Sequence, residues 1–261
     1  MLPTIHRQRT TPAAAKEYLD YLRLELDREV GPLLELLGSE ALLIPEIYGG
    51  KRPRLRGWNQ LTHAALDDNP YYFAALEASV LDGGNLGVLL GEPSARLCTV
   101  DLDRTEAVEP FLKKNPRFRE TLTSTGSGVG AQFWVRIARG SYYIPKVLKI
   151  SVTEALAKRY GGVPRNPATG TFDIGEWRGG QKSTIWGRHE SGKTYEIPVR
   201  AKPVELTMEE ILLPKGWFLR LLRPTEFGPA AWEDLTEDER INAADRRRAA
   251  RREWRGGGGS H

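Results

Sequence analysis

Cysteine is nearly absent from this chain of 261 residues, and it has no long apolar stretch. The single cysteine, Cys98, rules out a disulfide within the chain and a cysteine-rich zinc site. No run of about 18 apolar residues occurs, so we expect no membrane span and no membrane partner. Residues 1–11 lack the apolar segment of a secretory signal. Together these absences favour a cytoplasmic protein in a reducing environment.

The composition is typical of a soluble globular protein, with 40% hydrophobic and 28% charged residues. The length suits one large domain, or one domain with appendages. A formal net charge of +4 permits a polyanionic partner without requiring one.

Short apolar runs bounded by glycine and proline predict an α+β fold with a largely antiparallel, mixed sheet. We predict strands at 42–45, 85–90, 97–103, 132–137, 171–177, 183–186 and 195–199. We predict helices at 12–37, 71–81, 105–115 and 151–160, with a terminal helical segment beginning at 207–213. The predicted organisation is an N-terminal helix (1–40) opening an α/β module, a core (41–205), a C-terminal helical extension (206–255) and a linker or tag remnant (256–261).

The C-terminal extension carries its own helix signals. Thr236 and Glu239 have the spacing of a capping box, acidic residues come first and arginines follow. Such a segment is either a solvated helix or an arm that binds nucleic acid.

Two acidic residues close the most informative strand of the chain. Asp101 and Asp103 follow the apolar run Leu97–Val100, and strand alternation places both carboxylates on one face. Two carboxylates so close repel each other, and a divalent cation such as Mg²⁺ or Mn²⁺ relieves that repulsion. The alternative is a solvated strand end with two surface acids.

Residues Gly187–Thr194 match the phosphate-binding P-loop pattern, but their context argues against one. A P-loop needs a helix to begin at its lysine, whereas Tyr195–Val199 reads as a strand and contains a proline. We therefore predict a hairpin turn at 190–193.

Two further segments match motifs of other protein families, but only in part. Asp101–Thr105 matches the nucleophile loop of haloacid-dehalogenase-like phosphatases, but no later Gly-Asp acidic pair is visible. Gly126–Gly130 precedes a strand rather than a helix, which disfavours a dinucleotide loop, although its backbone amides could hold phosphate oxygens.

Taken in order, several segments resemble the primase-polymerase branch of the archaeo-eukaryotic primase superfamily. The resemblance spans about 44–195, and the order of its motifs is more specific than any one of them. It rests on Lys51–Pro53 with Gly57–Trp58, Asn85–Gly91, Leu97–Asp103, Thr125–Trp134, Gly175–Gln181, Gly187–His189 and Ser191–Tyr195.

The resemblance implies an RRM-like catalytic core that carries out template-directed nucleotidyl transfer. Asp101, Asp103 and Glu176 would be the catalytic residues and would hold two divalent ions, Mg²⁺ or Mn²⁺. The nucleotide, an NTP or dNTP, would be bound by Ser127, Gln132, Arg178, Lys182 and His189. The family usually has a histidine where this chain has Gln132, and glutamine carries no charge. Triphosphate binding is therefore expected to be weaker, or to be assisted by Lys182 or Arg178.

The implied partners are a single-stranded DNA template and a separate replicative helicase, since the chain lacks the helicase segment often fused in this family. The setting would be replication of a phage, plasmid or integrated element. A basic loop would contact the template backbone through Lys51, Arg52, Arg54 and Arg56.

Purely structural or solvent-exposed roles for these residues also stay open. The basic loop could be simply solvated, His189 could make a structural hydrogen bond, and Glu176 could be a surface acid. Two alternative functions also stay open. One is a non-catalytic module that binds single-stranded nucleic acid or nucleotides on a primase-like scaffold. The other is a metal-dependent phosphohydrolase.

Overall fold

The computed structural model describes residues 28, 30–48, 50–66, 69–81, 83–167 and 169–221. They form an α+β structure with two sheets that are mainly antiparallel. The strands are β1 Leu42–Glu46, β2 Asn85–Leu89, β3 Leu97–Leu102, β4 Thr123–Thr125, β5 Ala131–Ile137, β6 Val147–Val152, β7 Phe172–Arg178, β8 Lys182–Trp186, β9 Glu196–Val199, β10 Val204–Leu206 and β11 Trp217–Leu221. The helices are α1 (30–37), α2 His63–Leu66, α3 Pro70–Leu81, α4 Thr105–Lys114 and α5 Glu154–Arg159. Within these residues no helix has both the length and the apolar character needed to cross a membrane.

The small sheet has the order β1-β2-β8, and the large sheet has the order β11-β6-β7-β3-β5-β4-β9 with β10 parallel to β5. Strands β7 and β8 are consecutive in the chain but belong to different sheets. The connection between them is tight, because a Cβ at Gly179 would lie 1.8 Å from the Ile144 carbonyl oxygen. The chain can therefore cross between the sheets here only with glycine at this position.

Each sheet has its own hydrophobic core. One core fills the space between the small sheet, α1, α3 and Trp134 of β5. The second lies on the other face of the large sheet, where Val100, Leu102 and Trp177 pack against Phe111 of α4. The side of the large sheet turned away from α4 carries Trp134, which belongs to the first core, and the polar residues that line a cleft.

Strand β3 shows how the alternating pattern divides the two faces. Val100 and Leu102 are buried in the second core, whereas Asp101 and Asp103 line a cleft on the opposite face. The predicted placement of both aspartates on one face is confirmed. Cys98, on the opposite face of the same strand, is fully buried.

Two helix predictions need correction. Residues 207–213 form only one 3-10 turn, Met208–Glu210, which is followed by β11 rather than by a helix. Pro214 and Gly216, with φ of 83°, lie between them, and β11 then pairs antiparallel with β6. The predicted helix at 151–160 is confirmed only from Glu154, because Ser151 and Val152 end strand β6. Residues 222–255, which include the capping-box segment, and most of the predicted helix at 12–37 lie outside the described residues.

A β-bulge in β7 interrupts the strict alternation of side chains along this strand. Ile150 pairs with Gly175 and Ser151 with Asp173, so Ile174 is one extra residue on β7. Strict alternation places Ile174 beside Glu176, but Ile174 is fully buried in the second core together with Trp177. The bulge leaves Glu176 and Arg178 on the polar face.

Asp173 ties the edge strand β11 to the rest of the large sheet. Its carboxylate pairs with Arg220 at 2.6 Å and accepts hydrogen bonds from Ser151, Asn166 and Thr171. These donors outweigh the effect of burial and lower the pKa of Asp173 to about 2.

We expect Asp173→Asn to lower the free energy of unfolding by about 2 kcal/mol at pH 7. A carboxylate with a depressed pKa stabilises the fold above its unfolded pKa, and this contribution is lost as the pH falls towards 2. The difference between variant and wild type should therefore shrink between pH 5 and pH 2 in urea titrations. Glu209→Gln, at an exposed position, is the control. A difference that does not depend on pH would contradict the argument.

Candidate functional site

Five polar side chains form a row across five adjacent strands of the large sheet. Lys149 on β6 pairs with Glu176 on β7, which pairs with Asp101 on β3. Asp101 in turn pairs with Gln132 on β5, and Gln132 with Ser124 on β4. Directly opposed residues in antiparallel strands have Cβ atoms about 4.5–5.5 Å apart. The register therefore brings together residues from four distant parts of the sequence.

Three members of the row, Asp101, Gln132 and Ser124, line a cleft of about 130 Å³ between the two sheets. Of the predicted site residues, all but Glu176 and three arginines of the basic loop line this cleft directly. These lining residues are Lys51, Asp101, Asp103, Ser127, Gln132, Arg178, Lys182 and His189. Most predictions of site residues therefore converge on one place, with Glu176 beside it in the row.

Burial and the repulsion of neighbouring carboxylates both disfavour the ionised forms of Asp101 and Asp103. Burial, followed by the charge of Asp103, raises the pKa of Asp101 to about 6, despite the nearby Arg178. Burial and the charge of Glu176 likewise raise the pKa of Asp103. Carboxylate oxygens are hard ligands. A divalent cation such as Mg²⁺ or Mn²⁺, bound between these two aspartates, would remove the repulsion between them.

Glu176 is held by two positively charged side chains. Its carboxylate forms ion pairs with Lys149 and Arg178. Although burial opposes ionisation, these two charges keep the pKa of Glu176 below its ordinary value. In the described part of the chain, no three His, Cys, Asp or Glu side chains form a preformed metal-binding cluster. A shared metal site on Asp101, Asp103 and Glu176 stays a prediction, and it requires Glu176 to exchange a cationic partner for a metal ion.

Gln132, the neighbour of Asp101 in the row, is fixed by hydrogen bonds. Its amide nitrogen donates to Ser183 Oγ at 2.7 Å and to Asp101 Oδ2 at 3.3 Å. Its amide oxygen accepts a hydrogen bond from Ser124 Oγ at 3.1 Å. Gln132 therefore orients the carboxylate of Asp101 and connects it to β8 of the small sheet.

Lys182, which is predicted to help bind the nucleotide, already has an acidic partner in the structure. Its ammonium group is buried, pairs with Glu46 Oε1 at 2.8 Å and donates to the Lys51 carbonyl oxygen. Glu46 is fully buried and also accepts a hydrogen bond from Thr184 Oγ1 at 2.8 Å. Lys182 lines the cleft, but most of its charge is already balanced.

The predicted hairpin turn after β8 is confirmed, and it places His189 beside the glycine-rich loop. The His189 amide donates a hydrogen bond to the Lys193 carbonyl oxygen at 2.7 Å. Arg188 and Thr194 form an isolated antiparallel β-bridge. Burial, followed by the nearby Lys51, lowers the pKa of His189. The imidazole also hydrogen-bonds Ser191, so the structural role considered from the sequence is present.

The basic loop is only partly directed at the cleft. Lys51 lines it, whereas Arg52 and Arg56 are exposed and do not. Arg54 donates through Nε to the Glu46 carbonyl oxygen at 3.2 Å.

Sequence reasoning missed Glu46, Lys149, Ser124, Thr125 and Tyr195. Lys149 carried a usable signal, since it is a lone charged residue in the apolar run Val147–Val152. Glu46 carried none, because its partner Lys182 is far away in the sequence.

Gly175 permits the close approach of β7 and β3. A Cβ at this position would lie 2.1 Å from the Asp101 carbonyl oxygen. We expect Gly175→Ala to lower the free energy of unfolding by about 1–3 kcal/mol and to move Glu176 away from Asp101. Gly31→Ala is the control, since nothing lies within 4 Å of its added methyl group, and it should be neutral or stabilising. Equal chemical-denaturation midpoints for the two variants would contradict this.

Comparison with models of known protein families and with curated proteins found no match for this chain. The functional argument therefore depends on the site itself.

Proposed function

We propose that this chain is a metal-dependent nucleotidyltransferase of the primase-polymerase type. It would add nucleotides to a primer or to an initiating nucleotide on a single-stranded template, with release of pyrophosphate. The observation that carries the proposal is the row in which Glu176, Asp101 and Gln132 are direct neighbours on three adjacent strands. The motifs of the resemblance are far apart in the sequence, and the sheet register joins them beside one polar cleft.

Asp101 and Asp103 are the side chains that would hold the cation, with Glu176 completing the site. A bound Mg²⁺ or Mn²⁺ would supply the charge that activates a hydroxyl and stabilises a departing phosphate. Gln132 keeps Asp101 oriented through its 3.3 Å hydrogen bond. Arg178 lines the cleft and stays protonated, because the charge of Glu176 raises its pKa against the effect of burial, so it would contact a phosphate group while it pairs with Glu176.

A polymerisation assay tests the proposal. The protein is incubated with a single-stranded template, labelled NTPs or dNTPs and Mn²⁺, and the products are separated by length. Extended product that is lost in Glu176→Gln and kept in Glu109→Gln, an exposed acid on α4, supports nucleotidyl transfer. Release of inorganic phosphate without pyrophosphate would instead indicate a phosphohydrolase, and the proposal would be wrong.

A non-catalytic nucleotide or single-strand binding module is the second candidate. The ion pairs of Glu176 with Lys149 and Arg178, and the saturated amide of Gln132, favour it. Binding that persists with no product in any divalent metal would support this candidate.

A further inference from the structure

We propose that Lys149 competes with a divalent cation for the carboxylate of Glu176 and so sets the affinity of the site for metal. Lys149 acts through Glu176, which makes it a positioning residue rather than a ligand. The inference rests on the metal site of the proposed function and adds to it a residue outside every motif of the resemblance. Its consequence is reciprocal, because the ion pair weakens metal binding and a bound ion loosens the ion pair.

The sheet register fixes Lys149 against Glu176. The two residues are direct partners on β6 and β7, and Glu176 is in turn the direct partner of Asp101 on β3. Lys149 therefore meets the carboxylate from the side away from the aspartates. The next residue of the row beyond Lys149 is Arg220 on β11, and it pairs with Asp173 instead. Lys149 is thus the cation that the register assigns to Glu176 on this side.

The charges around Glu176 balance formally without a metal ion. Lys149 and Arg178 each form an ion pair with Glu176. Against the larger effect of burial, Lys51 stabilises the ionised forms of the two aspartates in the cleft. Three carboxylates therefore face three positive side chains, and a divalent cation would add two further positive charges. The ion and the positive side chains then compete for the same carboxylates.

Lys149 is the partner of Glu176 that can withdraw. Within the described residues, Glu176 is the one acidic partner of its ammonium group, which ends a flexible side chain that is 24% exposed. Arg178 is held more firmly. It donates a hydrogen bond to the Lys182 carbonyl oxygen at 3.4 Å, and, against the effect of burial, all three carboxylates raise its pKa. A cation that approaches Glu176 therefore displaces Lys149 more readily than Arg178.

One oxygen of Glu176 has unused acceptor capacity. Oε2 is buried and accepts no hydrogen bond in the described structure, although it lies against Arg178 in an ion pair. Buried carboxylate oxygens normally accept at least one hydrogen bond. Lys149 bonds the other oxygen, Oε1. A hard cation coordinated at Oε2 would draw negative charge away from Oε1 and weaken the pair with Lys149.

Calorimetric titration of the protein with Mn²⁺ alone tests the competition without requiring catalysis. We expect Lys149→Met to bind Mn²⁺ about tenfold more tightly, because it removes a unit charge close to the bound ion and releases Glu176. Lys149→Arg keeps the charge and should bind Mn²⁺ no more tightly than the wild type. Lys113→Met, at an exposed position on α4, is the control and should leave the affinity unchanged. Equal affinity of wild type and Lys149→Met, or no binding by either, would overturn the proposal.

A double-variant cycle with Glu176→Gln shows whether Lys149 acts through Glu176. Glu176→Gln removes the charge for which Lys149 competes, so most of the gain from Lys149→Met should disappear in that background. Lys51→Met is the comparison, because Lys51 acts on the aspartates themselves, and its gain should be similar in both backgrounds. If Lys149→Met gains as much with Glu176→Gln as without it, Lys149 exerts only a general charge effect and the positioning role is wrong.

The reciprocal effect of the ion on Lys149 has its own readout. Modification of lysines by an amine-reactive ester, followed by mass spectrometry of the peptides, measures how free each ammonium group is. We expect Mn²⁺ to increase the modification rate of Lys149 in the wild type and to leave that of Lys113 unchanged. A rate at Lys149 that does not respond to Mn²⁺ would contradict the competition.

These outcomes are separable from that of the polymerisation assay. Mn²⁺ binding that is tightened by Lys149→Met through Glu176, in a protein that makes no polymer, keeps this role and rejects nucleotidyl transfer. Polymer made by a protein whose Mn²⁺ affinity does not respond to Lys149→Met keeps nucleotidyl transfer and rejects this role.

Discussion

Asp101→Asn is expected to remove nucleotide incorporation while leaving the fold more stable. Asp101 lies in the centre of the polar row and faces the cleft beside Asp103. Losing one preorganised charged group from an active site costs on the order of 10²–10³ in turnover. The measurement is the rate of single-nucleotide extension in Mn²⁺, with Glu109→Gln as the control that retains activity.

The stability effect follows from the pKa of Asp101, which burial and Asp103 raise to about 6. A carboxyl group with a raised pKa stabilises the fold at low pH, and this contribution is lost as the pH rises through about 6. Above that pH the ionised, buried carboxylate lowers the free energy of unfolding, whereas the neutral asparagine does not. We expect Asp101→Asn to raise the free energy of unfolding at pH 8 by about 1–3 kcal/mol in the presence of a chelator.

Adding Mn²⁺ should reverse the order of the two proteins. A ligand that binds only the folded state stabilises it, and only the wild type retains both carboxylates. Wild type should therefore gain melting temperature in Mn²⁺ while Asp101→Asn gains little. An Asp101→Asn protein that is less stable than the wild type in chelator, or that responds equally to Mn²⁺, would contradict a cation site on the aspartates.

Lys182→Met is expected to cause the largest loss of stability of any single change considered. It leaves the fully buried Glu46 without its 2.8 Å partner, and an uncompensated buried charge costs about 3–5 kcal/mol. The free energy of unfolding from urea titration measures the loss. Arg119→Met, which breaks an exposed pair with Glu109, is the control and should cost about 0–1 kcal/mol.

A double variant separates the buried charge from the loss of packing. Glu46→Gln combined with Lys182→Met has no charge in this position, and the amide still accepts the hydrogen bond of Thr184. Most of the stability should return. A double variant as unstable as Lys182→Met would show that the methylene groups of Lys182, rather than its charge, hold the small sheet in place.

The local parts of this structure were predictable from the sequence, and the long-range parts were not. The apolar run before Asp101 predicted β3 and the face of both aspartates, because alternation is a property of a single strand. The neighbours of Asp101 could not be derived in that way. The positions of Glu176 and Gln132 beside it depend on strand register, and only the family resemblance pointed to them.

The errors have similar causes. An extra residue at Ile174 changes the face of every residue before it, and a bulge leaves no reliable trace in the sequence. Strand β11 was taken for part of a helical segment because its pairing with β6 outweighs the local signal. The Glu46–Lys182 pair joins two strands of the small sheet that are not even neighbours, since β2 lies between them.

The connection between β7 and β8 sets a limit on how the cleft can work. Arg178 and Lys182, on opposite walls, are separated by only three residues, so the walls cannot swing apart as independent halves. The connection itself is also closely packed. A methyl group at Gly179 or Gly180 would clash with the carbonyl oxygen of Ile144 or Pro145. We therefore expect the cleft to keep its shape at this end and to select ligands by their fit to that shape rather than by closing around them.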